Sequence, residues 1–253
     1  MTNLEPGPNS QKAHYEKIHQ AYAEHYYDEF SDRYRDRFFF RYLFRGLDLN
    51  NKKIGDLCCG DGINSLAVKR RFPKADLTGF DISPTAVATY RVSLNSEAYE
   101  LDLTQPIGPE FVSRFDYLIC VGGLHHCVAN LPQTVANIEN LLKPGGRLLT
   151  VEPYSGTVLN SIRNYWYKRD PYFDETSERA IAPTELTTEN LRVEKLAFGG
   201  GPAYYLIFNS LIFRLSKPVK KALFYPLMAL EGLIQIIMPQ FIAAVFLARY
   251  VRR

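Results

Sequence analysis

Short apolar runs alternate with segments of helical periodicity through the middle of the chain, and this alternation predicts the fold class. Five runs have the length and composition of buried strands: residues 52–57, 76–80, 97–101, 115–121 and 147–152. Three helical segments separate them: residues 62–72, a helix capped by Ser83 and begun by Pro84, and residues 134–142. Strands that alternate with helices in this way predict an α/β fold with a doubly wound, mostly parallel sheet and helices on both faces.

The N-terminal part of the chain departs from this alternation. Residues 1–10 are rich in Pro, Gly and Asn and predict a leader, whereas residues 11–47 have a helical pattern that is dense in aromatic residues. Those aromatic residues recur at spacings of three and four, which predicts helices with a broad apolar face. Two interpretations remain open for them: helices packed on the sheet, or a cap over a ligand cleft.

The C-terminal part is apolar from Ala222 to Tyr250, with few polar interruptions. Pro226 and Pro239 are predicted to divide it into pieces of about 12 and 10 residues, whereas a membrane-spanning helix needs about 20. Helices that pack on the domain or on a second subunit are the expected arrangement. A patch that rests on a lipid surface, or contact between two subunits through these helices, is the alternative.

These patterns divide the chain into three predicted parts. They are an N-terminal leader and helical cap (1–47), a core domain with a lid insertion at about 153–183 (48–210), and an apolar C-terminal helical appendage (211–253).

Composition excludes some classes of function. A formal net charge of +3, without a basic run interleaved with aromatic residues, argues against nucleic acid binding. The N-terminus lacks a basic start followed by an apolar core, so no secretory signal is predicted. The four cysteines match no zinc spacing and no disulfide framework, and we expect reduced thiols, no metal and a cytoplasmic protein, with membrane association as the alternative.

The most informative stretch is residues 54–62, Ile-Gly-Asp-Leu-Cys-Cys-Gly-Asp-Gly. An apolar run ends at Asp56, a turn with two glycines follows, and Asp81 ends the next apolar run. Glycines let the backbone approach a ligand that a Cβ would block, and a carboxylate at the tip of the second strand can bind both hydroxyls of a ribose. The stretch therefore predicts a nucleotide-like ligand.

With Asp102 in Glu-Leu-Asp-Leu-Thr and the Leu-Lys-Pro-Gly-Gly turn before the fifth strand, residues 52–152 resemble the class I S-adenosylmethionine-dependent methyltransferases. The resemblance implies S-adenosyl-L-methionine as the cofactor. It also implies seven strands, the last two being residues 192–198 and a reversed strand at 204–208. A histidine often occupies the position of His126 in small-molecule members of this family.

The resemblance further implies roles for individual residues. Asp56 would contact the methionine end of the cofactor, Asp81 the ribose hydroxyls, and Asp102 the adenine amino group. The remaining residues with an implied cofactor contact are Gly60, Gly62, Ile82, Leu103, Val121 and Tyr27. Cys58 is also in this set, although it stands where the family usually has its first glycine, so that its side chain could crowd the methionine moiety.

The acceptor side is less defined. His125 and His126 follow the fourth strand, and either could act as a base or have a packing role. Residues that could contact the acceptor lie in and before the predicted lid: Glu152, Tyr154, Arg163, Trp166 and Tyr167.

The predicted function is therefore methyl transfer from S-adenosyl-L-methionine to an oxygen or nitrogen of a small acceptor, with a lipophilic acceptor suggested by the apolar C-terminal part. One alternative is a non-catalytic scaffold that binds this cofactor and uses its C-terminal part for dimerisation or membrane docking. A nicotinamide-dependent dehydrogenase is disfavoured, because Ile63 or Ser65 stands where its fingerprint requires a third glycine.

Overall fold

A seven-stranded sheet forms the centre of the protein, seen in a computed structural model that describes residues 28–167, 178–208, 213 and 215–253. The strands are β1 (Lys53–Leu57), β2 (Asp76–Asp81), β3 (Glu97–Glu100), β4 (Phe115–Val121), β5 (Leu142–Pro153), β6 (Leu191–Gly199) and β7 (Val245–Arg252). Their order is β3-β2-β1-β4-β5-β7-β6, parallel from β3 to β5 and antiparallel at β7 on both sides. The predicted fold class is confirmed.

The described helices follow the predicted alternation with the strands. They are α1 (Glu29–Tyr34), α2 (Arg41–Leu43), α3 (Ile63–Arg71), α4 (Pro84–Leu94), α5 (Leu131–Leu141), α6 (Leu159–Tyr167) and α7 (Lys217–Ile237), with a π-helical turn Arg35–Phe40 between α1 and α2. Ser83 caps α4 as predicted, because its side chain accepts a hydrogen bond from the Ala86 amide (3.1 Å).

Each face of the sheet carries its own hydrophobic core. On one face, sheet residues such as Ile54 and Leu149 pack with α1, α3 and α7. On the other face, Leu118 and Leu148 pack with α5. Helices therefore cover both faces, which is why the parallel strands are apolar along their length rather than alternating.

The described part of the N-terminal segment packs on the sheet. Tyr34, Phe39, Phe40 and Leu43 are fully buried in the first core. Arg249 of β7 reaches the end of this segment and donates to the Leu43 carbonyl (2.7 Å). Residues 28–43 therefore pack on the sheet and do not form a cap over a ligand cleft.

The C-terminal part differs from the prediction in its last strand. Residues 204–208 are a π-helical turn, and the reversed strand is β7, inside the segment predicted to be a helical appendage. The core sheet therefore does not end at residue 210. β7 lies between two neighbours with both faces buried, and an apolar run of that kind cannot be told from a buried helix by its periodicity.

The break predicted at Pro226 is also wrong. Helix α7 runs through this proline to Ile237, and the chain leaves the helix just before Pro239. None of the described helices combines the length and apolarity needed to cross a membrane.

Candidate active site at the carboxyl edge of the sheet

The candidate site lies where β1, β2 and β4 end. These strands are parallel and adjacent, and the strand order changes direction between β1 and β4. The connections after β1 and β4 therefore leave to opposite faces and open a crevice at the carboxyl edge, which is where α/β sheets bind their ligands. The residues after each strand supply the polar groups of this crevice.

Asp56, at the end of β1, is a buried carboxylate with one oxygen in use. The Ser65 hydroxyl donates to Asp56 Oδ2 (2.7 Å), and the Tyr90 hydroxyl lies 2.7 Å from Ser65 Oγ. Oδ1 is buried and has no hydrogen-bond partner in the described part of the chain. Desolvation by burial raises the pKa of Asp56 to about 8. This oxygen is suited to a donor supplied by a ligand.

Asp81, at the end of β2, fixes the turn after β1. Its Oδ2 accepts from the Gly60 amide (2.9 Å), and its Oδ1 accepts from the Ser83 amide (2.9 Å). Burial raises the pKa of Asp81 to about 6, although both amide contacts favour the charged form. Each carboxylate oxygen has two lone pairs, so one site on each oxygen is left for a ligand hydroxyl.

The turn after β1 has left-handed backbone at three positions: Cys58 (φ 51°), Gly60 (φ 51°) and Gly62 (φ 86°). At Gly62 a Cβ would also lie 2.3 Å from Leu94 and 2.9 Å from the Tyr90 ring. Gly62 is thus required by packing against α4 as well as by the turn.

The Cys58 side chain is accommodated by a glycine on the neighbouring strand connection. A Cβ on Gly123, which follows β4, would lie 2.6 Å from Cys58 Cβ and 2.7 Å from Cys120 Sγ. The thiols of Cys120 and Cys127 hydrogen-bond to Cys58 and lower the pKa of the Cys58 thiol. All four cysteines are free. Three of them, Cys58, Cys120 and Cys127, lie together at this edge of the sheet.

Asp102 and Leu103 follow β3. Asp102 Oδ1 accepts from the amide and the hydroxyl of Thr104 (2.8 and 2.6 Å), which holds the loop after the strand in place. Leu103 is buried in the second core, and its carbonyl accepts from the Asn137 side chain (2.8 Å). Ile82 and Val121, at the ends of β2 and β4, are partly exposed.

Glu152, at the end of β5, is fully buried and organises the connection after β4. It accepts from the amides of Gly123 and Leu124 (3.1 and 2.9 Å), and its Oε2 lies 2.8 Å from His125 Nδ1. Burial raises the pKa of Glu152 to about 7, against the amide hydrogen bonds that lower it. Both oxygens of Glu152 are engaged, so this residue orients His125. The predicted contact between Glu152 and an acceptor is therefore wrong.

The pKa values of the two histidines are shifted in opposite directions. Burial is the main cause that lowers the pKa of His125 well below its usual value, so its imidazole is neutral. With Nδ1–H donated to Glu152, Nε2 is the ring nitrogen that can accept a proton. Burial would also lower the pKa of His126, but the Glu178 carboxylate, 3.3 Å from Nδ1, outweighs it and the net shift is upward.

His125, His126 and Glu178 also form a set that could hold a metal ion. Their potential ligand atoms lie within 4.8 Å of one another. Within the described residues, however, His125 Nδ1 faces Glu152 and His126 Nδ1 faces Glu178, and both contacts are those of a hydrogen-bonded or ion-paired group without a metal. The effect of EDTA on activity tests whether a metal ion is bound at these three residues.

The other predicted acceptor contacts are placed around the end of β5. Tyr154 is largely buried, and its hydroxyl accepts from Gln240 (3.0 Å). Arg163 is buried and donates to the Ala244 and Tyr154 carbonyls (2.8 and 3.3 Å), so it ties α6 to the start of β7. The side chains of Trp166 and Tyr167 and all of Tyr27 lie outside the described residues, and their roles stay predictions.

Sequence reasoning missed several residues that shape the site. Ser65 donates to one oxygen of Asp56 and contacts Tyr90, Gly123 makes room for Cys58, and Glu178 pairs with His126. Except for Ser65, which lies nine residues from Asp56, each of them acts across elements far apart in the chain. A local motif gives no signal for such contacts, although the helical position of Ser65, one turn after the glycine turn, could have suggested a contact with the end of β1.

A comparison with known families covers most of the residues of this site. Residues 54–146 match the family model described as "Methyltransferase domain". The chain has the class I methyltransferase fold. The matched residues include the whole glycine turn, the three carboxylates at the ends of β1 to β3 and both histidines.

Solved structures with this methyltransferase fold match nearly the whole chain. The [4+2]-cyclase SpnF has a TM-score of 0.63 at 14% identity, over 98% of this chain and 97% of its own. A complex of the Haloferax volcanii Trm112 methyltransferase activator with a putative methyltransferase has a TM-score of 0.60 at 13% identity, over 96% and 97%. A putative methyltransferase from Bacillus halodurans has a TM-score of 0.53 at 18% identity, over 83% and 94%. At these identities the similarity establishes the fold alone.

The residues of the candidate site fit the cofactor that the matched family implies. The buried, unpartnered Oδ1 of Asp56 requires a donor, and the cofactor carries an ammonium group. The open lone pairs on Asp81 suit a pair of vicinal hydroxyls. The left-handed glycine turn brings backbone amides to the start of α3, where the carboxylate of the cofactor could be bound.

Proposed function

We propose that this protein transfers a methyl group from S-adenosyl-L-methionine to an oxygen or nitrogen of a small, lipophilic acceptor by in-line displacement. The observation that carries the proposal is the juxtaposition at one sheet edge of the carboxylates after β1 to β3 and the Glu152–His125 pair after β5 and β4. The carboxylates suit a cationic donor that carries a ribose. The pair suits removal of a proton from the acceptor.

On the donor side, Asp56 would bind the methionine end, Asp81 the ribose hydroxyls and Asp102 the adenine amino group. S-adenosyl-L-methionine, when bound, supplies an electrophilic methyl group on a sulfonium. The protein's own contribution is then to hold the two reactants in line and to exclude water, which is worth several orders of magnitude in rate.

On the acceptor side, His125 would take the proton. Glu152 holds Nδ1–H at 2.8 Å, which fixes the tautomer, and the depressed pKa keeps the ring neutral before the reaction. Nε2 then accepts the proton of a hydroxyl or ammonium group, and Glu152 stabilises the imidazolium that forms. His126, paired with Glu178, is the less suitable base because its proton is held by that carboxylate.

Calorimetry with S-adenosyl-L-methionine, followed by transfer of a radiolabelled methyl group to a panel of phenols, amines and prenylated aromatics, tests the proposal. We expect His125→Ala to lower kcat by about 10²–10⁴-fold with an unchanged cofactor Kd. His126→Gln is the matched control and should lose far less. Activity that survives His125→Ala would show that His125 is not the base. Activity lost in EDTA and restored by a divalent metal would favour a metal site at the same histidines.

A second candidate is a protein that binds the cofactor without transferring its methyl group. The specific observation in its favour is the structural similarity to a [4+2]-cyclase, which shows that proteins with this fold are not all named for methyl transfer. Cofactor binding without methylation of any acceptor in the panel would favour this candidate. No cofactor binding would contradict both.

A further inference from the structure

Helix α7 has one side without charge that faces away from the protein. After Lys221 the only charged residue in this helix is Glu231, which is fully buried and accepts from the Tyr34 hydroxyl (2.8 Å). The exposed side is apolar and continues past the helix end. We define the apolar face by six exposed residues: Tyr225, Leu230, Leu233, Ile236, Ile237 and Phe241.

The exposure of this face is high for residues of such apolarity. Leu233 is 66% exposed, and Ile236 and Ile237 are each 79% exposed. Val158, just before helix α6, and Ile162 and Tyr165 within it extend the face and are 60–64% exposed. The two parts are joined directly, because the Val158 amide donates to the Phe241 carbonyl (2.9 Å). A contiguous apolar surface of this kind marks an interaction site rather than scattered surface residues.

Cations border the apolar face. Lys217 and Lys221 are exposed on the first turns of α7. Two arginines of the N-terminal helical segment are also exposed. Arg33 of α1 lies over the Phe224 ring (5.9 Å), and Nη2 of Arg37, in the π-helical turn after α1, lies 3.1 Å from where a Cβ on Gly232 would lie. Each of these four side chains can reach a surface that the apolar face contacts.

The acids near these cations do not neutralise the border. Asp32 and Asp36 are each paired with an arginine on α3, Arg70 and Arg71, at 2.9 Å. Asp28 is buried and ion-paired with Lys220 of α7, and Glu29 is the exposed acid of α1. Segment 155–167 and segment 238–244 contain no acidic residue. The border is therefore cationic around an uncharged centre.

The face also adjoins the candidate active site. β7 is antiparallel to β5, and Val245 at its start pairs with Pro153 at the end of β5. The segment that connects α7 to β7 therefore lies at the carboxyl edge of the sheet, where Gln240 donates to Tyr154 and Ala244 accepts from Arg163.

We propose that the apolar face docks on the surface of an anionic lipid bilayer, with the side of the crevice near Tyr154 turned toward the lipid. An apolar helix side bordered by lysine and arginine matches the two layers of such a surface, the acyl boundary and the anionic headgroups. A second copy of this chain offers no counter-charge, because the face carries no exposed acid. This inference is independent of methyl transfer, since binding to lipid is measured without cofactor or acceptor.

The test is flotation of the full chain with phosphatidylcholine vesicles, with and without phosphatidylglycerol, together with its mass in solution by light scattering. We expect a monomer that floats with the anionic vesicles and is released by salt. Ile237→Glu should reduce flotation at least tenfold. Charge reversal by Lys217→Glu with Lys221→Glu should reduce it about tenfold, on anionic vesicles only.

The matched control is Val92→Glu, because Val92 is an isolated apolar residue, 86% exposed on α4. It should float as the unchanged chain does, and circular dichroism should show that every variant is folded. Failure of the full chain to float on anionic vesicles would overturn the proposal. This holds regardless of whether residues 1–27 or a soluble partner cover the face instead of lipid. A dimer that Ile237→Glu dissociates, without flotation, would assign the face to a second copy and also overturn it.

Discussion

At the scale of single residues, the candidate site concentrates buried carboxyl groups whose pKa values are raised. Asp56, Asp81 and Glu152 have pKa values of about 8, 6 and 7, and burial is the first cause in each. Groups shifted in this way, at the mouth of a crevice, are typical of functional sites. They cost stability in the free protein and are suited to ligands that supply hydrogen-bond donors.

Cofactor affinity should depend on the protonation of Asp81. Ribose hydroxyls donate to the ionised carboxylate, so protonation below pH 6 should weaken binding, with a limit of about tenfold in Kd per pH unit. Calorimetry from pH 5 to pH 8 measures the effect. Asp81→Asn should bind at least tenfold more weakly at pH 8 and lose the dependence below pH 6. An unchanged profile in that variant would show that Asp81 does not bind the cofactor.

Cys58 and Gly123 should be energetically coupled. Gly123→Ala alone should destabilise the protein by about 2 kcal/mol through overpacking, because its Cβ would meet Cys58 Cβ at 2.6 Å. The double variant with Cys58→Gly should recover part of this loss, and Cys120 Sγ limits the recovery. Chemical denaturation of the four proteins gives the coupling free energy. Strict additivity would contradict the packing argument.

Glu152 is expected to act by positioning His125. Glu152→Gln keeps the size of the side chain and can still accept from the Gly123 and Leu124 amides, but it cannot stabilise an imidazolium. We expect kcat to fall at least tenfold with KM changed less than threefold, and the rise of the rate with pH that reports deprotonation of His125 to move to lower pH. A purely structural role would change stability and KM without moving the pH profile.

At the scale of elements, β7 is the piece that completes the sheet. It pairs with β5 over seven positions from Arg147 to Pro153 and with β6 over eight, and six of its eight residues are buried. Its Arg249 is also bound to the carbonyls at the end of α2. The last residues of the chain are thus part of the core.

Removal of residues 245–253 should therefore prevent folding. The truncation would expose the backbone edges of β5 and β6 and the apolar residues of both cores, a combination that favours aggregation. Expression followed by circular dichroism and light scattering checks this. Removal of the exposed Arg253 alone is the control and should leave a folded protein. A soluble, cooperative truncated chain would show that β7 is dispensable.

At the scale of the whole molecule, the buried carboxyls determine how stability depends on pH. The folded pKa of Asp56 is about 8 and that of Glu152 about 7, both above the unfolded values, so the folded state binds more protons. The raised pKa of His126 acts in the same direction. The contribution of these groups to the free energy of unfolding should then fall as pH rises from 6.5 to 8, whereas the lowered pKa values of His125 and Cys58 act in the opposite direction.

Thermal unfolding across that range measures the slope. Asp56→Asn should raise Tm at pH 8 and reduce the slope, because it removes a desolvated charge. In the unchanged chain, S-adenosyl-L-methionine at 100 times its Kd should add about 2.7 kcal/mol of stability, and this gain should be lost in Asp56→Asn. A slope that is the same in Asp56→Asn as in the unchanged chain would contradict the raised pKa assigned to Asp56.

The sequence by itself determined the parts that depend on local order. Strand β4 has the predicted bounds, the first three strands agree within a residue at each end, and Ser83 is the predicted cap of α4. Each rests on periodicity or on a hydrogen bond within one turn of the chain. The sequence also placed Asp56, Asp81 and Asp102 at strand ends, while their contacts with a cofactor stay predictions.

Only the tertiary structure decided what depends on contacts between distant residues. It identified β7 as the reversed strand. By its periodicity the same apolar run could have been a buried helix, and only its pairing with the edges of β5 and β6 makes it a strand. It also distinguished the adjacent histidines, because Glu152 contacts His125 and Glu178 contacts His126. It also left one side of α7 uncovered, since the burial of an apolar residue depends on what packs against it and not on its own chemistry.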